Sequence, residues 1–373
     1  MMTGRGAGVT GDGRTLGGGV NLPALRSHNT ALVLDLLRAS GDDGMTRIKL
    51  AERTGLTPQA VSKITARLRA DGLAVEAGHR RSTGGKPRTV LRLVPDAGHA
   101  VGVHLDRDAL RAVLVDLTGT LAGETSRPVD LGAGADAVVR AVGEAVRELT
   151  PGGRALIGAG VALPGPLDHT RGVLHRVTGF PEWDRYPLRA ALTDRLGVPV
   201  VVDKDTNAAA LRLAAHGTAR SFAYLHLGTG LGAGLVIGGT VHRGARTGAG
   251  EFGHQVVQLD GPPCTCGDRG CIEALCLAAV ARGDLAEAAR VLGAGAANLV
   301  ALLDIDLILL GGRTITAAAG TFIDGVSTVL DARAHRESRT DPTVPVRLAA
   351  ADDHTIAQGA AELLLGPLFG RHV

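Results

Sequence analysis

The sequence predicts an α/β protein whose N-terminus carries a small helical domain closed by a β-hairpin. Two observations predict this fold class. Three short helical patterns lie before Gly72, and two β runs follow them directly. From residue 100 onward, β runs alternate with helical patterns, and several of the runs end in glycine-rich turns. Aromatic residues make up only 2% of the chain, which argues against binding of single-stranded nucleic acid by base stacking.

The N-terminal domain, predicted over 26–95, has the order of a winged helix-turn-helix. Helices are expected over 28–39 and 46–54, and a third begins at Thr57-Pro58, because Thr can cap free backbone N–H groups and Pro is tolerated at the first helical position. Val61, Ile64 and Leu68 recur on one face of that third helix. Short β runs at 73–76 and 89–94 enclose a basic, glycine-rich loop, which is the pattern of a wing.

Charge separates this domain from the rest of the chain and predicts double-stranded operator DNA as its partner. Residues 26–95 carry 13 Lys/Arg against 6 Asp/Glu, whereas 96–373 carry 25 against 30. The third helix should enter the major groove and the wing the minor groove. The alternative is a solvated basic loop on a domain that contacts protein only. The predicted DNA-contacting residues are Gln59, Ser62, Lys63, Thr65, Arg80, Arg81, Lys86 and Arg88.

The ends and the composition of the chain predict a cytoplasmic protein without a membrane partner. The first 19 residues contain eight Gly and no apolar core of a signal peptide, so 1–25 is predicted to be a disordered tail. No run of about 18 apolar residues indicates a membrane span. The four cysteines lie within 13 positions, which favours metal binding over a disulfide framework.

His254, Cys264, Cys266 and Cys271 form a closed set of four soft ligands, which predicts structural zinc (Zn2+). The alternative is a group of reduced cysteines without a metal. Cys276 lies in an apolar helical stretch and is predicted to be a core thiol.

Residues 250–273 resemble the signature of the ROK family (repressors, open reading frames and kinases). They read Gly-Glu-Phe-Gly-His and, after nine intervening residues, Cys-Thr-Cys-Gly-Asp-Arg-Gly-Cys-Ile-Glu. Segments 160–168, 201–209, 227–234 and 310–312 resemble further motifs of that family. The resemblance implies an actin-like, ribonuclease H-like, two-lobed sugar-kinase fold over 96–373, with the second lobe over about 204–355. The winged helix implies the repressor branch, homodimers or tetramers, and a sugar or sugar-phosphate effector.

The resemblance also implies the effector site. Asp205, Glu251, His254 and Glu273 should contact sugar hydroxyls, and Lys204 stands where many members have Asn. In family kinases the residue at Asp205 would be the general base. Those kinases carry Asp-x-Gly-Gly-Thr at the first hairpin, whereas this chain has His-Leu-Asp-Arg-Asp over 104–108.

Because the glycines that approach phosphate are lost and Asp106 and Asp108 bring two carboxylates to this loop, we expect a sugar-responsive regulator without a catalytic residue, and Asp205 as a degenerate base position. The alternative is an ATP-dependent sugar kinase with an appended DNA-binding domain.

Overall fold

The computed structural model describes residues 28–80, 88–153, 155–175, 177, 180–337, 343–350 and 354–371. The predicted tail at 1–25 lies outside these residues. The N-terminal domain contains α1 (His28–Ser40), β1 (Met45–Thr46), α2 (Arg47–Thr54), α3 (Pro58–Ala70), β2 (Ala74–Arg80) and β3 (Arg88–Leu93).

The N-terminal helices and the hairpin form where the sequence predicts them. The Thr57 hydroxyl caps α3 by accepting the Ala60 backbone N–H at 3.2 Å. Leu37, Leu50 and Leu91 meet in the core of the domain and are fully buried. A two-residue strand, β1, which the sequence did not predict, adds to the hairpin in the order β1-β3-β2.

The first lobe follows directly and is built on a five-stranded sheet. Its elements are β4 (His99–Leu105), β5 (Ala109–Asp116), β6 (Leu121–Pro128), α4 (Ala135–Leu149), β7 (Leu156–Leu163), β8 (Leu167–Asp168), β9 (Val173–Leu174), α5 (Leu188–Leu196), β10 (Val200–Lys204) and α6 (Asp205–Ala215). The sheet order is β10-β7-β4-β5-β6. The first three strands in sequence pair antiparallel, and β7 and β10 add in parallel.

The second lobe repeats this topology. Its elements are β11 (Phe222–Leu227), β12 (Leu231–Ile237), β13 (Thr240–Val241), α7 (Ile272–Ala281), α8 (Leu285–Leu303), β14 (Leu307–Gly311), α9 (Arg313–Ala317), α10 (Ala319–Arg336) and β15 (Val346–Leu348). The order β13-β12-β11-β14-β15 has the same alternation of antiparallel and parallel pairs. Two lobes with one shared topology agree with the predicted two-lobed architecture.

The last helix, α11 (Thr355–Leu365), returns from the second lobe to the first. It packs against β4, β7 and α6, so it lies between the sheet of the first lobe and the helix that begins at Asp205. Helix α8 is long and apolar enough to cross a membrane by length and composition alone. Its buried residues belong to the core of the second lobe, where Leu292 packs with Phe252 and Phe322, and a single helix of this kind is weak evidence for a span.

The winged helix-turn-helix shares a core with the first lobe, which the sequence did not predict. Leu37 of α1 belongs to the same buried cluster as Val113 of β5 and Ile157 of β7. Leu365 and Phe369, at the C-terminal end of the described chain, complete this cluster. The winged helix-turn-helix is therefore joined to the lobes by apolar packing as well as by the chain.

Candidate functional site

All five residues predicted to contact sugar line one cleft between the two lobes. Lys204 and Asp205 lie at the junction of β10 and α6, where the carboxyl end of a parallel strand opens the cleft. Glu251 and His254 come from the segment after β13, and Glu273 from the first turn of α7. We call this space the central cleft.

Lys204 lies buried at the wall of the central cleft, with 3% of its side chain exposed. Its ammonium donates to the Glu251 carboxylate at 3.1 Å and to the Ala249 carbonyl at 2.5 Å. A buried charge is stable only when it is paired in this way. The lysine therefore holds the loop that carries Glu251, and its charge is already matched by that carboxylate.

Asp205 begins α6, and its carboxylate accepts the Thr206 backbone N–H at 2.6 Å. Burial raises the pKa of the Asp205 carboxyl above its ordinary value, because the charged form loses hydration. Asp203, two positions before Asp205, anchors the strand-to-helix turn. It accepts the Arg243 Nε–H at 2.7 Å and the Asn207 amide at 2.9 Å. A carboxylate is thus present at the position where the resemblance implies a general base, and the hydrogen bonds of Asp203 support the backbone beside it.

Glu273 is fixed by a backbone donor from the opposite wall of the cleft. One of its carboxylate oxygens accepts the Leu231 N–H at 2.7 Å, and the residue is 7% exposed. The carboxylate lines the cleft as well, so it retains acceptor capacity for a ligand hydroxyl.

The predicted metal ligands His254, Cys264, Cys266 and Cys271 converge, and their donor atoms all lie within 4.8 Å of one another. Tetrahedral zinc with Zn–S bonds of about 2.3 Å places two thiolate sulfurs about 3.8 Å apart. The sulfurs of Cys266 and Cys271 are 3.7 Å apart, and His254 Nδ1 lies 3.6 Å from the Cys264 sulfur. The cluster can therefore hold a metal ion through Nδ1. Cys276 is fully buried in the core of the second lobe, as predicted.

The nucleotide side of the cleft carries carboxylates where the resemblance implies phosphate. Asp106 accepts the hydroxyl of Thr229 at 3.1 Å, and Thr229 lies on the glycine-rich turn between β11 and β12. Burial opposes ionisation of Asp106, but the Arg107 backbone N–H and neighbouring groups hold its pKa below the ordinary value. Asp108 pairs with Arg313 at 3.1 Å. The hydroxyl on the glycine-rich turn is thus already bonded to the Asp106 carboxylate of this chain.

Two histidines lie near Asp106, His104 buried and His226 half-buried at the wall of the cleft. Burial lowers the pKa of His104 to about 3 and also lowers the pKa of His226, so both rings are neutral at neutral pH. The Tyr224 hydroxyl lies 2.9 Å from His226 Nδ1.

Among the predicted DNA-contacting residues, Gln59, Ser62 and Lys63 are exposed on α3, and Arg88 is exposed at the start of β3. The expectation that Thr65 faces outward is wrong. Its side chain is fully buried and donates to the Val61 carbonyl at 2.8 Å, because it lies one turn after Val61 on the packed face.

The other predicted wing contacts are only partly covered by the structure. Arg81 and Lys86 lie outside the described residues, and Arg80 is described only through the backbone of β2.

Sequence reasoning missed Asp203, Arg243 and Thr229. Thr229 stands inside a glycine-rich turn that the sequence did single out, so a signal was present. Asp203 and Arg243 are 40 positions apart and meet only in the folded chain.

The fold and the cleft define a two-lobed protein of the sugar-kinase architecture that carries a winged helix. A profile of the ROK family matches residues 100–282. A xylose repressor from Bacillus subtilis is 28% identical over 235 residues, which cover 61% of this chain and 61% of that protein. The chain thus spans about three fifths of this relative. Residues 100–282 belong to the ROK family.

Two solved structures support the fold. A ROK family transcriptional regulator, a homolog of the E. coli MLC protein, superimposes with a TM-score of 0.74 and 21% identity over 92% of this chain and 97% of its own. A ROK family glucokinase from Streptomyces griseus, in complex with glucose and AMPPNP, gives a TM-score of 0.61 and 27% identity over 71% and 99%. The predicted α/β fold, with its N-terminal helices and actin-like lobes, is confirmed.

Proposed function

We propose that this chain is a cytoplasmic transcriptional repressor that binds double-stranded operator DNA through its winged helix-turn-helix and senses a sugar in the central cleft. It acts as a homodimer, because two recognition helices must reach half-sites about 34–36 Å apart. The observation that carries the proposal is the shared apolar core, which joins an exposed α3 to a sugar-kinase-like body. A xylose repressor among the relatives supports it.

The charges of the central cleft favour a neutral sugar over a sugar phosphate. Four carboxylates line it, from Asp106, Asp205, Glu251 and Glu273. Two cationic residues line it as well, and one of them, Lys204, is paired with Glu251, so the four carboxylates outnumber Lys204 and Arg107. A phosphorylated ligand would therefore meet net repulsion, whereas sugar hydroxyls can donate to these acceptors.

Zinc is the metal that the Cys3His set favours, and its role is structural, since four protein ligands leave no open position. His254 would bind the ion through Nδ1, which leaves Nε2 for a ligand in the cleft. The ion would thereby fix both a sugar contact and the loop that precedes Glu273.

A sugar kinase with an appended DNA-binding domain is the second candidate, and the retained Asp205 together with the similarity to a glucokinase favours it. Against it stands the Asp106–Thr229 hydrogen bond, which places a carboxylate where transferred phosphate would lie.

DNA binding tests the proposal. Fluorescence anisotropy with the fragment upstream of the chain's own gene should show saturable binding that a neutral sugar changes. Lys63→Ala and Arg88→Ala should each cost about 1–3 kcal/mol and lower the salt slope, whereas Arg140→Ala, an exposed change on α4, should not. If neither variant weakens binding at moderate salt, this docking is wrong. Robust turnover of ATP with one sugar would favour the kinase instead.

A further inference from the structure

A second pocket lies where the winged helix-turn-helix meets the first lobe. We call it the junction pocket, and it shares no lining residue with the central cleft. It encloses about 680 Å³ of space, its open mouth included. Its polar lining comes from α1, from the turn between β5 and β6, from the end of α6, and from α11 with the chain that follows it. The residues that matter are Arg38, Thr118, Arg212, Gln358, Glu362 and Arg371.

Positive charge dominates this lining. Three arginines line the junction pocket against one carboxylate, that of Glu362. Arg38 and Glu362 are 10% and 4% exposed and bond at 2.7 Å, and Arg212 lies 3.7 Å from the same carboxylate oxygen. Arg371 pairs with Asp35 at the rim at 3.2 Å. An excess of guanidinium groups in a partly dehydrated space attracts anions more strongly than it would in water.

The most buried of these arginines has donor capacity left over. Arg38 donates from Nε and Nη2 to the Thr118 carbonyl, at 3.1 and 3.0 Å. Its Nη1 is buried and has no hydrogen-bond partner among the described residues. A buried donor without an acceptor costs roughly 1–3 kcal/mol, and a ligand can satisfy this enclosed atom only when the guanidinium turns toward the pocket.

Gly119 leaves this cluster uncovered. A Cβ added there would lie 3.0 Å from both Arg38 Nη2 and the Glu362 carboxylate, and the residue has φ +85°, which disfavours most side chains. The turn thus approaches the arginines without placing a side chain over them.

We propose that the junction pocket binds a phosphate group, carried either by inorganic phosphate or by a phosphorylated sugar. Arginine forks match phosphate oxygens with two donors at once. The site joins Arg38 of the DNA-reading domain to Arg212 of α6, so an occupant would hold the two parts in one relative position. Binding itself does not depend on the chain being a repressor.

Calorimetry and thermal-shift titration of the full chain with sodium phosphate, against sodium chloride at equal ionic strength, test the site. Wild type should show saturable binding that Arg212→Gln weakens at least tenfold, while Arg140→Gln leaves it unchanged. Glucose 6-phosphate and glucose are titrated in parallel to distinguish the two sources. Tighter binding of glucose 6-phosphate than of inorganic phosphate would identify a phosphorylated sugar as the ligand, and weaker binding would identify inorganic phosphate.

Gly119→Asp is the second variant, since aspartate tolerates positive φ better than most residues and would place a competing carboxylate beside Arg38. It should abolish the phosphate-dependent shift with an unchanged circular dichroism spectrum. The proposal fails if phosphate and chloride act alike on wild type, or if Arg140→Gln loses as much affinity as Arg212→Gln. Loss of glucose 6-phosphate binding on Glu273→Gln but not on Arg212→Gln would move that ligand to the central cleft.

Discussion

Removal of two carboxylates should give this chain the affinity for a nucleotide that we expect it to lack. The Asp106 carboxylate lies 3.1 Å from the Thr229 hydroxyl, so a phosphate oxygen that competed for this hydroxyl can come to about 4 Å from that carboxylate. Two like charges 4 Å apart repel by about 4 kcal/mol at an effective dielectric constant of about 20. That energy corresponds to roughly a thousandfold in dissociation constant. Asp108 is 57% exposed and paired with Arg313, so its share is smaller.

Calorimetry with magnesium and a nonhydrolysable ATP analogue measures the effect. The Asp106→Gly/Asp108→Gly variant should bind at least a hundredfold more tightly than wild type. Asp106→Asn separates charge from shape, since it keeps an acceptor beside Thr229 and should recover only part of the gain. Asp96→Asn removes an exposed charge that lines neither side of the cleft and should change nothing. Tight nucleotide binding by wild type, or a folded double variant without any gain, would refute the electrostatic reasoning.

Three further predictions concern the metal, the effector and pH. Cys271→Ser or a strong chelator should remove about one zinc per chain by elemental analysis and lower both Tm and sugar affinity, whereas Cys276→Ser should retain the metal. Glu273→Gln should weaken sugar binding roughly 10- to 100-fold, from a charged hydrogen bond of about 1.5–3 kcal/mol, and leave sugar-free DNA binding intact, with Glu287→Gln, a half-exposed carboxylate outside the cleft, as control. Because the pKa of His104 falls from 6.5 to about 3 on folding, the unfolded chain binds more protons between these values, so stability is lost as pH falls through that window. Thermal melts should therefore show a Tm that falls from pH 7 to 5, less steeply in His104→Gln, and an unchanged slope in that variant would contradict this origin.

Local patterns predicted the elements and the candidate site well. The Thr57-Pro58 pair marks the start of α3, and the predicted metal ligands together with three of the five predicted sugar contacts fall within a 24-residue signature. Lys204 and Asp205 lie outside it and come from a separate motif. Thr65 shows where a local pattern fails. The spacing of Val61, Ile64 and Leu68 did not determine which face of α3 Thr65 occupies. The packed face is wide enough to include Thr65, so its side chain is buried.

Contacts between distant segments could not be predicted, because no periodicity encodes them. Arg38 and Glu362 are 324 positions apart, and their bond exists only because α11 returns to the first lobe. The repeated topology of the two lobes also escaped sequence reasoning. Its period exceeds 100 residues, and each copy keeps the strand order while its motifs differ, so no short repeat is visible.

The packing of α6 against α11 links the effector site to the DNA-reading domain. A Cβ at Gly359 of α11 would lie 1.9 Å from the Ala208 carbonyl of α6, so the two helix backbones are in direct contact and cannot slide independently. Asp205 begins α6 in the central cleft, and the end of α11 shares a core with Leu37 of α1. A sugar that binds the Asp205 carboxylate therefore contacts a rigid pair of helices. The far end of this pair packs against the winged helix-turn-helix. Since a ligand shifts an equilibrium only by its differential affinity for the two states, Gly359→Ala should reduce the effect of sugar on operator affinity more than it reduces sugar binding. Equal losses in both measurements would mean that this contact serves stability alone.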